Sequence, residues 1–251
     1  MNRMNRDRIF AAAFVVLVST AIIGFSSGDT GASFTGASTN PNQSWNTQTV
    51  NPPAAFTSAT PKPAGQIDLV WTATTSPAGS HTLTYLVLRG PVGGPYVQVG
   101  TTAGLTYSDT PPADGTYEYV VQTKIAQGAG FFTSGNSATK SSKSDRTAPT
   151  AATALGTAKG AVAGEIVVSW TAGTDGGTGV AGYTIHRSGV VGACPATSTA
   201  NYPNATAVGV VTSATISGLV SGSKYCFYLT TNDVAGNASA NSAAAGPQPA
   251  K

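Results

Sequence analysis

The chain has 251 residues, 41% of them apolar and only 9% charged, with a formal net charge of +3; about 25% charged is usual for a globular protein. That leaves material for packed cores but few of the Glu, Lys, Arg and Leu-rich faces that helices use, while abundant Thr, Val and Tyr favour strands. Arg3, Arg6 and Arg8 precede an apolar run, and residues 33–251 carry ten basic and eight acidic residues without clustering, which speaks against a nucleic-acid-binding surface.

Residues 9–25, IFAAAFVVLVSTAIIGF, form 17 uncharged residues after the basic start. This is short for a spanning helix, which needs about 20, and long for a signal-peptide core of about 7 to 15. Small residues up to Ala32 permit cleavage there, so residues 1–32 read as an apolar helix serving as a signal peptide or, uncleaved, as a membrane anchor. Either way the remainder is expected outside the membrane, secreted or tethered to the outer face of the cytoplasmic membrane. Residues 33–51 read as a Ser/Thr/Asn-rich linker. With Phe34 and Trp45, the stretch from Thr30 to Pro53 also resembles the region after the SipW-type signal peptide of camelysin and TasA-like proteins. That resemblance implies an exported bacterial protein and brings a remote alternative, a camelysin-like peptidase, for which the chain offers no metal-ligand motif.

Beyond Pro53 the chain overlays on itself. Val70-Trp71-Thr72-Ala73 recurs as Ser169-Trp170-Thr171-Ala172, and Tyr85-Leu86-Val87-Leu88-Arg89 as Tyr183-Thr184-Ile185-His186-Arg187. The Trp residues lie 99 apart and the Tyr residues 98 apart, too long for a solenoid unit and the size of one antiparallel sandwich. Alternation places Ile67, Leu69 and Trp71 on one strand face, then Tyr85, Val87 and Arg89, then Tyr117, Tyr119 and Val121. The second copy repeats this with Ile166, Val168 and Trp170, then Tyr183, Ile185 and Arg187, then Tyr225, Phe227 and Leu229. Both arginines are expected where their strands emerge into water. The apolar pattern lapses at Lys140 to Pro149, dividing the chain into domains at 52–144 and 148–247 with a tail at 248–251.

The order of Pro, Trp, Tyr-x-x-x-Arg and then Leu before Tyr-x-Phe/Tyr resembles fibronectin type III. The resemblance implies an all-β chain of two tandem antiparallel sandwiches, immunoglobulin-like, with Trp71 and Trp170 in the cores. It also implies tyrosine corners at Tyr225, after Leu219-Val-Ser-Gly-Ser-Lys, and, less completely matched, at Tyr117 after TPPADG.

Cys194 and Cys226 are the two cysteines, and an exported chain makes a disulfide the expectation. Cys194 falls in a loop region of the second copy that is ten residues longer than in the first, and Cys226 alternates with Tyr225, so the bridge is expected outside the main core. His81 and His186 have no Cys or carboxylate at metal or catalytic spacing and read as surface residues. In the type III topology Asp145, Asp175 and Asp233 lie on loops at one end of the second sandwich, at the junction. They are weak candidates for a Ca²⁺ site, alongside the plainer role of capping tight turns. Of Phe131 and Phe132, one is expected to enter the core as the last strand begins and the other to be an exposed contact residue, against the second domain or a partner. Asn42, Asn204 and Asn237 stand in N-x-S/T triplets.

The expected function is non-catalytic: an adhesion, spacer or matrix protein with no cofactor. Its partner would be a protein or polysaccharide at the cell surface, and it would meet a membrane only through residues 1–32. The alternative is a carbohydrate- or polymer-binding accessory role, resting on Phe131, Phe132, Tyr96 and Tyr202.

Overall fold

A computed structural model describes residues 49–75, 82–127 and 130–251. The apolar segment at 1–32, Phe34, Asn42, Trp45 and His81 lie outside the described residues. Among the described residues no helix is long and apolar enough to cross a membrane.

The first copy forms β1 (Phe56–Pro61), β2 (Ile67–Trp71), β3 (Leu83–Gly90), β4 (Val97–Thr102), β5 (Thr106–Asp109), β6 (Gly115–Gln127), β7 (Gly130–Thr133) and β8 (Lys140–Ser144). One sheet has the order β1-β2-β5; the other has β4-β3-β6-β7, with β8 also on β6. The second copy forms β9 (Thr153–Lys159), β10 (Ile166–Thr171), β11 (Val180–Arg187), β12 (Asn204–Val208), β13 (Ser213–Ile216), β14 (Lys224–Asp233) and β15 (Ala245–Pro249). Its sheets run β13-β10-β9 and β12-β11-β14-β15, so both copies are all-β antiparallel sandwiches of like topology.

Period-two alternation produces each core. Ile67, Leu69, Trp71, Tyr85, Val87, Tyr119 and Val121 are buried together in the first. Ile166, Val168, Trp170, Tyr183, Ile185, Tyr225, Phe227 and Leu229 fill the second. In both, the Trp ring meets the Tyr of the next strand edge-on, with centroids 5.6 Å apart for Trp71–Tyr85 and 5.2 Å for Trp170–Tyr183. Such contacts add to burial worth on the order of 2 kcal/mol per large side chain. The corners close as expected: the Tyr117 hydroxyl donates to the Ala113 carbonyl at 3.1 Å, and the Tyr225 hydroxyl accepts from the Val220 N–H at 3.1 Å.

Three expectations need correction. Residues 248–251 are not a tail: β15 runs to Pro249, Ala250 is buried in the core, and Lys251 exchanges backbone bonds with Glu165 and Gly164. The polar stretch at 140–144 is strand β8, whose serines alternate into the sheet where an apolar count sees only a linker. Nor do the strand-end arginines emerge freely into water. Arg89 pairs with Asp109 at 2.7 Å, and Arg89 and Arg187 lie over the rings of Tyr117 and Tyr225 at 5.3 and 5.1 Å, a cation–π contact that shields each corner tyrosine.

Candidate functional site: the acidic junction

The segment leaving β8, Asp145 to Pro149, turns between two loops of the second sandwich, one after β10 and one after β14. Each loop is shaped by its own aspartate. The Gly179 N–H donates to Asp175 Oδ2 at 2.6 Å, and the Asn237 N–H to Asp233 Oδ1 at 2.7 Å. Asp145 does the same for the linker, accepting the Thr147 N–H on Oδ1 at 3.0 Å. These are the turn-capping bonds that short acidic side chains make.

The caps also gather the acids. One carboxylate oxygen from each of Asp145, Asp175 and Asp233 lies within 4.8 Å of the others. Asp145 and Asp233 are only 1% and 3% exposed. Five of the six carboxylate oxygens accept hydrogen bonds: Thr178 N–H and hydroxyl reach Asp145 Oδ2 at 2.6 and 2.8 Å, and Asn237 Nδ2 reaches Asp233 Oδ2 at 2.7 Å. The sixth, Asp175 Oδ1, is buried with no partner. Among the described residues the ion pairs are Lys62–Asp68, Arg89–Asp109 and Arg146–Asp114, so none neutralises this trio. Lys143 is nearby, but its ammonium is turned to the carbonyls of Gly176 and Gly177. Two like charges at 4.8 Å repel by about 3.5 kcal/mol at an effective dielectric constant of about 20.

The first sandwich reaches the same place through the turn at Pro63–Gly65. Gly65 N–H donates to the Asp145 carbonyl at 3.1 Å, Ser144 hydroxyl to the Gly65 carbonyl at 2.8 Å, and Ala64 N–H to Asn237 Oδ1 at 3.3 Å. Asn237 Nδ2 also reaches the Asp145 carbonyl at 3.1 Å. Asn237, which stands in an N-x-S triplet, is thus a junction residue whose side chain is engaged on both its oxygen and its nitrogen. A recess of about 350 Å³ opens beside the trio, lined by Asp114, Gly115, Lys143, Asp145, Thr147 and Gly177, among others.

The other candidate residues lie apart. Cys194 and Cys226 are bridged, with Cα atoms 5.5 Å apart, on the outer face of the β11–β14 sheet in a small separate core with Tyr202 and Tyr228. His186 shares that face. It stacks on Tyr228 at 4.4 Å, half-buried rather than on the open surface, and desolvation holds its pKa below the ordinary histidine value. Phe131 and Phe132 are 60% and 43% exposed on β7. Neither enters the core or the junction, because β6 and β7 run on as a hairpin past the sandwich; Phe131 packs under Lys124 Nζ at 4.2 Å. Tyr96 donates to Glu118 at 2.8 Å, and that bond holds its phenol above the usual range.

No family model matches the chain. Exoglucanase B of Cellulomonas fimi is 31% identical over 189 residues, 72% of this chain but only 15% of that protein's length. Among solved structures, the FN1–FN3 domains of chicken CNTN1 superpose with a TM-score of 0.53 at 20% identity, over 77% of this chain and 66% of that one. The fold is therefore the fibronectin type III sandwich, in tandem.

Proposed function

We propose that this chain is a non-catalytic extracellular spacer, a pair of sandwiches whose bonded junction holds whatever it carries at a set distance and angle from the cell or from a neighbouring domain. The observation behind this reading is the junction itself. The Ala64 N–H donates to Asn237 and the Gly65 N–H to the Asp145 carbonyl, which Asn237 also reaches, so both sandwiches and the linker share one network, where a flexible tether would show a polar linker without cross-links. The disulfide suits an oxidising, extracellular location. The partial coverage of a much longer relative suits a module that serves other domains.

Nitroxide labels on Val97→Cys and Val210→Cys, at exposed sites on the two sandwiches, would measure the spread of interdomain distance by pulsed electron resonance. One narrow distance is expected; a broad distribution would overturn the spacer reading.

A second reading, binding of a polysaccharide, draws on the exoglucanase relative and on the exposed pair Phe131 and Phe132. Retention of the full chain on an insoluble glucan such as cellulose, lost in the double variant Phe131→Ala/Phe132→Ala, would favour it. The same small retention for both proteins would remove it.

A further inference from the structure

Independently of the spacer reading, we propose that Asp145, Asp175 and Asp233 form a calcium site that clamps the junction.

Two observations beyond the cluster itself ask for a cation. Asp175 Oδ1 is shut away from water, yet no donor reaches it, although a buried carboxylate oxygen without a partner is costly. The two flanking carboxylates are almost wholly buried, and no Lys, Arg or His among the described residues pairs with any of the three. A bound cation would give Asp175 Oδ1 the missing partner and neutralise the cluster.

The trio has no counterpart in the first sandwich, although the fold is the same. Ile125 stands in the first sandwich where Asp233 stands in the second, at the same offset that relates Tyr117 to Tyr225. Residues 44–53 and 73–80, which precede and follow the first strands of that copy, contain no Asp or Glu. The sandwich fold itself therefore does not require the three acids that these caps gather where the two sandwiches meet.

The donor set selects the ion. Carboxylate oxygens with no His or Cys in the cluster favour a hard cation over zinc or copper. Ligand atoms that all lie within 4.8 Å of one another are within reach of one Ca²⁺, whose bonds of about 2.4 Å span about 4.8 Å across the ion. Mg²⁺ demands near-ideal octahedral geometry and usually keeps several waters, so a site drawing a ligand from each of three protein segments suits the more adaptable Ca²⁺. Because Asp145 belongs to the linker and Asp175 and Asp233 to two loops of the second sandwich, one ion would fasten the three segments together.

The test is calorimetric titration of the full chain, stripped with EDTA, with CaCl₂ and separately with MgCl₂, together with thermal unfolding in each salt. One equivalent of Ca²⁺ is expected to bind, with a Kd of about 10⁻³ M or tighter, and to raise the melting temperature; Mg²⁺ is expected to bind at least about tenfold more weakly. In Asp175→Asn the Ca²⁺ affinity should fall at least about tenfold, while the metal-free melting temperature holds or rises because a repulsive charge has gone. Should that variant not fold, Asp233→Asn takes its place with the same readout. Absence of both heat and thermal shift at 10-millimolar-order Ca²⁺, equal response to Mg²⁺, or a folded variant that binds like the parent would each overturn the proposal.

Discussion

Arg89, Asp109 and Tyr119 show how much can hang on one charged residue. Arg89 and Asp109 meet at 2.7 Å with side chains only 17% and 8% exposed, and the Tyr119 hydroxyl donates to the same Asp109 oxygen at 2.8 Å. Deleting the cation strands a buried carboxylate, so Arg89→Ala should cost about 2–4 kcal/mol in urea unfolding of the first sandwich, several times what an exposed pair such as Lys62–Asp68 would show. Burial first, and the Asp109 bond second, push the Tyr119 phenol well above the usual tyrosine range. The sign follows from proton binding. The stabilisation is complete below about pH 10, where an unfolded tyrosine titrates, and is lost as pH rises beyond it, because the unfolded chain then releases a proton that the folded chain retains. Tyr119→Phe should therefore make the fall of stability between about pH 10 and 11.5 shallower; an unchanged slope would assign that fall to other tyrosines. At this scale the sequence was a poor guide. Alternation placed Arg89 on the inward face correctly, but nothing local marks Asp109 as its partner, since the two meet only when β5 closes the opposite sheet. A second device also went unread: Ser134-x-x-Ser137 and Ser239-x-x-Ser242 accept from the N–H groups of Thr123, Val121, Thr231 and Leu229. The repeat is visible once known, but Ser is too common in this chain for the spacing to stand out.

Among the elements, β14 carries the most, because both of its faces are buried. Tyr225, Phe227 and Leu229 point into the main core, while Cys226 and Tyr228 point outward under the loop that holds Cys194 and Tyr202. The pairing and the side of the sheet were legible from two cysteines and a period of two. The roof of that outer face was not, because it depends on Tyr202 folding back so that its ring meets Tyr228 edge-on at 4.9 Å and its hydroxyl donates to the Pro195 carbonyl. The bridge closes a loop of 32 residues, for which the chain-entropy estimate is about 3–4 kcal/mol. The double variant Cys194→Ser/Cys226→Ser should lower the stability of the second sandwich by about that amount and leave the first unaffected, seen in calorimetry as the separation of two unfolding transitions. If both transitions moved together, the sandwiches would be unfolding as one unit. The β6–β7 hairpin shows the opposite limit of alternation. The pattern says that Phe131 and Phe132 face opposite ways, but whether a core lies on either side depends on how far the strands outrun the sandwich.

For the whole molecule, the junction decides whether two sandwiches act as one body. That the three acids share one end of the second sandwich could be read from topology, because loops after alternate strands fall on the same side. The contribution of the first sandwich could not, since it rests on the turn at Pro63–Gly65, where Ala64 adopts a left-handed φ of 60° that its identity does not announce. Asn237 is the residue through which this turn and the linker both reach the β14 loop. Asn237→Ala removes the Ala64 and Asp145 links and one cap on Asp233 but retains the backbone bond to Asp233. A cost of about 1–3 kcal/mol to the second sandwich is expected for the lost cap, together with a broadened interdomain distance between labels at Val97 and Val210. Gly177→Ala perturbs the other side, because a Cβ there would run into the Asp145 carboxylate. It should broaden the distance as well, without touching the Ala64 contact. If Asn237→Ala destabilised the second sandwich and left the distance distribution narrow, Asn237 would be only a loop cap, and the rigidity would reside in the backbone bond from Gly65 to Asp145.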